Sequence, residues 1–135
     1  MTLSSPPKSS IEYPAATVRR ADRALRGSPF RLELFTAMKE RGIPLLSIVA
    51  RSGVESGYTR TPLGEAKVER HLLWLIKVGI LRREVDGQGI TDSFRLTPLG
   101  RQLVEKWQSA GGDLPGLGFW QRILDTLDRW FSVSR

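Results

Sequence analysis

The sequence contains no cysteine and only one histidine among its 135 residues. Without cysteine the chain has no disulfide framework, no thiolate metal site and no cysteine nucleophile. The single histidine, His71, leaves little for a zinc site or for acid–base catalysis. The sequence also has no phosphate-binding glycine loop and no nucleophile–base pair. These absences predict a protein that is not an enzyme and that needs no cofactor.

Long apolar runs are missing as well. No stretch approaches the roughly 18 consecutive apolar residues needed to span a bilayer, and the Ser/Pro-rich start lacks the apolar centre of a signal peptide. We therefore expect no membrane span and a cytoplasmic location. The length and the 40% hydrophobic content suit one compact domain with tails.

Positive charge is what the chain has in excess. There are 21 Lys and Arg against 14 Asp and Glu, which gives a formal net charge of +7. Such a balance favours a polyanionic partner, either nucleic acid or an anionic membrane surface. Residues 1–41 hold eight cations and four acids, residues 66–108 hold eight and five, and the other two segments are neutral. A nucleic-acid face is therefore expected in those two segments.

The motif Thr-Pro-Leu-Gly occurs at 61–64 and again at 97–100, and the similarity extends over eleven residues. A threonine hydroxyl can accept a hydrogen bond from the first helical turn, and proline suits the first helical position. We therefore expect helices to begin at Pro62 and Pro98. A shared capping motif explains the echo better than duplication does. Between the helices, residues 81–85 and 93–97 alternate with period two around a turn at 86–89, which predicts a β-hairpin.

The N-terminal part is expected to hold a disordered tail at 1–13 and a helix at 15–26, followed by a helix to about Arg41 and a short one at 45–53. The first helix places its arginines opposite its apolar side chains, a basic stripe that either contacts nucleic acid or is simply solvated. The stripe consists of Arg19, Arg20, Arg23 and Arg26, and the expected core side chains of the second helix are Phe30, Leu34, Phe35, Ala37 and Met38.

Three stretches form a connected pattern: LLSIVARSG at 45–53, VERHLLWLIKVGIL at 68–81 and FRLTPLG at 94–100. They resemble, in order, the first helix, the recognition helix and the return strand of a winged helix-turn-helix domain from small bacterial transcriptional regulators. The resemblance covers residues 28–107 and implies DNA binding. The whole chain also resembles a family of small uncharacterised cyanobacterial proteins, which implies no activity.

The resemblance implies a mainly α fold with a small β-hairpin, namely a winged helix-turn-helix with additional N- and C-terminal helices. The expected organisation is a winged-helix domain with its preceding basic helix at 14–110, a hinge at 111–116 and an amphipathic helix at 117–133. No second domain is expected in a chain of this length.

A helical wheel over residues 62–79 separates an apolar arc from an outward arc with three cations and no acid. In a helix-turn-helix this outward arc meets DNA, so Lys67 and Arg70 are expected in the major groove, a solvated face being the alternative. Trp74 is expected to pack against a terminal helix, and His71 to border the core. The apolar arc contains Val68, Leu72, Leu75, Ile76 and Gly79, and the outward arc contains Leu63, Ala66, Lys67, Arg70, Trp74 and Lys77.

The base of the hairpin carries three arginines that are expected to hold phosphates beside the groove. Its tip, 86–92, has two aspartates and no cation, so it is expected to repel a phosphate backbone. The loop at 54–60 is longer than the three or four residues usual in this motif. The full set of expected DNA contacts is Lys67, Arg70, Lys77, Arg82, Arg83, Arg95, Arg19, Arg20 and Arg23.

The last part of the chain carries an aromatic and aliphatic stripe at helical spacing. It can fold back on its own domain, pair with a second copy, or lie on a membrane. The zero net charge of residues 109–135 argues against a membrane, because interfacial helices usually carry a cationic face. The residues expected to form a dimer interface are Phe119, Trp120, Ile123, Leu124, Leu127, Trp130 and Phe131.

The leading hypothesis is a non-enzymatic transcriptional regulator that binds double-stranded DNA as a homodimer. The alternative is a winged-helix protein-interaction module that docks a protein partner through its C-terminal helix or the Tyr58 loop and does not bind DNA.

Overall fold

A computed structural model of the protein describes residues 12–111 and Leu114. This part of the chain is mostly helical, with five α-helices and one small antiparallel sheet. Four of the sequence predictions fall largely or wholly outside the described residues. They concern the tail at 1–13, the hinge at 111–116, the helix at 117–133 and the seven residues of the expected dimer interface, Phe119, Trp120, Ile123, Leu124, Leu127, Trp130 and Phe131.

The described elements follow one another with short connections. A single 3₁₀ turn, Leu45–Ser47, separates the first strand from the third helix. The helices are α1 (Ala15–Gly27), α2 (Leu32–Glu40), α3 (Ala50–Glu55), α4 (Glu65–Lys77) and α5 (Pro98–Ser109), and the strands are β1 (Ile43–Pro44), β2 (Leu81–Asp86) and β3 (Gly89–Leu96).

The two Thr-Pro-Leu-Gly motifs behave differently. At the second motif the prediction is confirmed, because α5 begins at Pro98 and the Thr97 hydroxyl accepts a hydrogen bond from Gly100 N at 3.0 Å. At the first motif the prediction is wrong, because α4 begins three residues later, at Glu65. Leu63 is buried there and its carbonyl accepts from Ala50 N at 2.7 Å. These contacts hold the motif in an irregular segment, so the outward position expected for Leu63 is also wrong.

The helix expected at 45–53 is broken in two. Val49 is extended between the 3₁₀ turn and α3, and Ala50 has a φ of +56°, in the left-handed region that L-residues seldom adopt. Gly53 then packs so closely that a Cβ there would lie 2.1 Å from Ile48 O. The break leaves Ile48 fully buried in the core just before α3 begins at Ala50, an arrangement set by packing and not by local pattern.

The sheet has the strand order β1-β3-β2. The predicted hairpin is present, with Leu81 opposite Leu96 and Arg83 opposite Phe94. Its strands extend further than expected, so most of the tip at 86–92 lies in the two strands. β1 was not expected, and it places Ile43 opposite Phe94 on the other side of β3.

The core lies where the helices close over the sheet. Of the side chains expected there from the second helix, four are buried and Ala37 is partly buried. On α4, Ile76 is partly buried and the three preceding members of the apolar arc are fully buried, which confirms that arc as the inner face of the helix. The fully buried members are Phe30, Leu34, Phe35 and Met38 from the first group and Val68, Leu72 and Leu75 from α4.

Candidate nucleic-acid interface

The outer face of α4 is rich in cations. Lys67, Arg70 and Lys77 are all exposed. At about 100° per residue, Glu65 and Glu69 project about 100° or more from Arg70 around the helix axis. The three cations therefore share one side of the helix, from which Glu65 points away, while Glu69 borders that side at about 80° from Lys77.

Helix α1 packs against α4 and adds its own arginines to this strip. A cleft between the two helices is lined by Arg20 and Arg23 of α1 and by His71 and Trp74 of α4. A neighbouring depression is lined by Arg20 and Lys77. The tertiary structure thus brings together two groups of cations that are more than 40 residues apart in the sequence.

The fourth arginine of the predicted stripe, Arg26, makes contacts that stabilise the fold. Arg26 Nε lies 3.1 Å from Asp22 Oδ2, and its guanidinium carbon lies 5.8 Å from the centre of the Trp107 ring. Trp107 Nε1 in turn donates to Asp22 Oδ1 at 2.7 Å, so this cluster ties α1 to α5. The exposed part of the stripe consists of Arg19, Arg20 and Arg23.

At the hairpin base, two of the three predicted arginines are engaged with neighbouring groups. Arg83 donates to Asp92 Oδ1 at 3.1 Å and lies over the Phe94 ring at 5.0 Å. Arg95 donates to Glu84 Oε2 and to the Glu40 carbonyl, each at 3.2 Å.

Arg82 is exposed, opposite Arg95 in the hairpin. Two carboxylates of the hairpin therefore offset two of its three cations. The basic surplus of the 66–108 segment consequently lies more on α4 than on the hairpin.

His71 lies at the border of the core, as expected. Its ring meets that of Phe30 edge-on, with the centroids 6.3 Å apart. Burial lowers the pKa of His71 from its ordinary value of 6.5, and the neighbouring Arg70 and Lys67 lower it further. The imidazole is therefore mainly neutral at pH 7 and adds no fixed positive charge to the face.

Sequence reasoning placed Trp74 on this face of α4 but missed Leu73, which lies beside it and completes an apolar patch. Leu73 is 44% exposed and Trp74 is 47% exposed, with the Lys77 ammonium 5.9 Å from the centre of the indole ring. Trp74 does adjoin α1, as expected, but it covers only part of its surface there. The available signal was the run of four apolar residues at 72–75, which spans about 300° of a helix and so cannot all face inward.

Two residues of the Tyr58 loop are buried. Tyr58 is only 8% exposed, and its carbonyl accepts from Arg31 N at 2.8 Å. Thr59 is buried beside it and forms a bridge with Phe30. Tyr58 and Thr59 are therefore part of the packed domain, whereas Ser56 and Arg60 of the same loop are exposed.

Two kinds of structure have no counterpart in the described residues. No helix of residues 12–111 is long and apolar enough to cross a membrane. In the same part of the chain, no three His, Asp or Glu side chains are grouped so that they could hold a metal ion.

No curated protein and no solved structure matches this sequence. A family model described as Npun_F0494-like matches residues 11–129, which include every described helix and strand. The chain therefore belongs to the Npun_F0494-like family.

Proposed function

We propose that this protein is a non-enzymatic regulator that binds double-stranded DNA through the joint face of α1 and α4. The order of elements from α2 to β3 supports a winged helix-turn-helix topology, in which α3 and α4 form the motif and the hairpin is the wing. In this topology α4 is the recognition helix. Its 13 residues measure about 20 Å, and a helix of that kind fits the major groove.

The observation that carries the proposal is the clustering of cations from two separate elements. Lys67, Arg70 and Lys77 are exposed on α4, and Arg20 and Arg23 line a cleft where α1 meets it. Arg20 also lines a second depression together with Lys77. Cations on two neighbouring helices suit a duplex, because the recognition helix can reach base edges while the other helix neutralises a phosphate strand.

The wing has a smaller part in this proposal. Arg83 and Arg95 already pair with Asp92 and Glu84, so using them for phosphates would require breaking those pairs. Arg82 is the exposed cation of the hairpin and can hold a flanking phosphate. Binding is thus expected to depend more on α1 than on the wing tip.

We further propose that the regulator acts as a homodimer. Two copies would place two α4 helices in successive major grooves, which lie about 34–36 Å apart on one side of the duplex. The aromatic stripe of the C-terminal sequence, from Phe119 to Phe131, supports this arrangement by its helical spacing.

The test is a charge-matched pair of double variants. Lys67→Ala with Arg70→Ala should weaken duplex binding at least about tenfold, since a base contact contributes roughly 1–3 kcal/mol. Arg41→Ala with Lys106→Ala removes the same charge from exposed positions outside α1 and α4. This second variant should change the affinity for DNA much less.

The salt dependence supplies a second readout. In a third variant, Arg20→Ala with Arg23→Ala removes the two phosphate contacts proposed for α1, and the slope of log affinity against log salt should become shallower by about 1.8. Equal losses in the first two double variants would show that only net charge matters. Absence of duplex binding at low ionic strength would refute the proposal.

A protein-interaction module remains the second candidate, because Leu73 and Trp74 leave apolar surface exposed on α4. In that case a Leu73→Ser variant would lose its partner, while Lys67→Ala with Arg70→Ala would not. A DNA-binding face would instead lose duplex binding in the Lys67→Ala with Arg70→Ala variant and keep it in Leu73→Ser. The two variants therefore separate the candidates.

A further inference from the structure

The cleft between α1 and α4 has the size and lining of a small-molecule site. It encloses about 320 Å³ and is partly open to solvent. This volume lies at the lower end of the range for ligand pockets, roughly 300–1,000 Å³. Its floor is apolar, formed by Ala24 and Leu75, and its polar groups come from both helices.

The polar groups around this floor are complementary to one kind of ligand. Arg20 and Arg23 supply guanidinium groups, which pair with carboxylate or phosphate oxygens. Trp74 lines the same cleft, and a flat ring packed against the part of the indole that faces the cleft would cover it. We propose that the cleft binds a small aromatic anion, a planar ring carrying one carboxylate or phosphate group.

The electrostatics of the cleft agree with an anionic occupant. No acidic side chain lines it, and Asp22, the acid of α1, is bonded to Arg26 and Trp107. The positive charges of Arg70 and Lys67, on the same helix as His71, act on its imidazole.

Across the cleft, α1 contributes Arg20 and Arg23 to the same lining as His71. These cations lie around an imidazole whose pKa is already lowered by burial and by its helix neighbours. An anion bound among them would offset this positive potential and raise the pKa of His71.

Occupancy of the cleft would also compete with DNA. Arg20 and Arg23 are the α1 side chains assigned to phosphate contacts above, so a bound anion would neutralise them. This consequence rests on the proposed DNA binding, whereas the binding of the aromatic anion itself does not. The cleft would then be the effector site of the regulator.

The experiment is calorimetric titration of the full chain, without DNA, with two aromatic anions. The carboxylate probe is 1-naphthoate and the phosphate probe is AMP, so the two arms distinguish the anionic groups. The neutral 1-naphthalenemethanol and inorganic phosphate are the controls. At least one aromatic anion should bind about tenfold or more tightly than either control, because a charge-assisted pair and a stacked ring then act together.

Variants locate the site. Arg20→Ala with Arg23→Ala should weaken anion binding about tenfold or more, whereas Arg19→Ala should leave it unchanged, since Arg19 is exposed on α1 but does not line the cleft. Trp74→Ala should weaken binding and Trp74→Phe should largely restore it. NMR titration of His71 should show its pKa rising when the anion is bound.

Several results would overturn the inference. Equal binding of the neutral analogue would show that the anionic group contributes nothing to binding. Equal binding of inorganic phosphate would show that the aromatic ring contributes nothing. Binding that is insensitive to the Arg20 and Arg23 changes, or no binding of either probe, would also refute it. If DNA binding fails while an aromatic anion still binds through these arginines, the cleft is supported and only the proposed function is lost.

Discussion

Replacing Phe94 by alanine should be among the most damaging single changes to this fold. Phe94 is 1% exposed and lies in the central strand, opposite Ile43 of β1 and Arg83 of β2. The Arg83 guanidinium also lies over its ring at 5.0 Å. Truncation therefore removes a buried side chain at a position of β3 that is paired with both neighbouring strands.

The expected cost follows from this burial. Truncating a buried Phe to Ala typically lowers the free energy of unfolding by about 3–5 kcal/mol, against a total of about 5–15 kcal/mol for a domain. For a folded unit of about 100 residues, 3 kcal/mol corresponds to a fall in Tm of about 12 °C or more. The change should be measured by urea and thermal unfolding followed by far-UV circular dichroism.

Asp92→Asn is the matched control on the same strand. Its carboxylate is 77% exposed and accepts from Arg83, and surface ion pairs of this kind contribute only about 0–1 kcal/mol. Its unfolding midpoint should stay close to that of the unchanged protein. If Asp92→Asn were the more damaging change, the side-chain alternation assigned to β3 would be wrong.

Three further predictions can be tested with the same protein. Gly100→Ala should lower the free energy of unfolding by roughly 1–3 kcal/mol or more, because its Cβ would lie 2.2 Å from Ile80 O, whereas Gly87→Ala, with no atom within 4 Å, should cost less than about 0.5 kcal/mol. Since the folded-state pKa of His71 is lowered, the unfolded chain binds more protons, and stability should fall as the pH drops below about 6.5 towards that lower pKa and then level off; His71→Asn should lack this step in pH-dependent melts. Deleting residues 117–135 should turn a dimer into a folded monomer in sedimentation, and a monomeric full chain would contradict this.

Local sequence signals predict those elements whose contacts are themselves local. α1 occupies almost the residues expected from its amphipathic spacing. α5 begins where its capping threonine places it, because Thr97 and Gly100 form their hydrogen bond within one helical turn. The hairpin is also found where alternation indicates it, with a two-residue turn at Gly87 and Gln88.

Elements fixed by distant contacts cannot be predicted in this way. The first Thr-Pro-Leu-Gly motif has the same capping residues as the second, yet Leu63 is buried and bonded to Ala50, which keeps helix α4 from starting there. β1 consists of only Ile43 and Pro44, and it is a strand because β3 lies beside it. Neither the late start of α4 nor the strand β1 is marked by a periodic pattern in the sequence.

The candidate face illustrates the same limit for function. The sequence identified the cations of α1 and α4 separately, but only the packing of the two helices makes them neighbours. The charge count by sequence segment also did not show that the positive surplus is distributed unequally among the helices and strands. β2 and β3 together hold three cations and three acids, so the hairpin is neutral, whereas α1 holds four cations and one acid and α4 holds three and two.

The two helices thus carry +4 of the formal net charge of +7. One of their three acids, Asp22, is bonded to Arg26 and Trp107, and Glu65 and Glu69 project away from Arg70. The positive potential of the joint α1–α4 face is therefore not offset by carboxylates within the face itself. Because exposed like charges repel one another, this arrangement carries a cost that a bound polyanion would relieve.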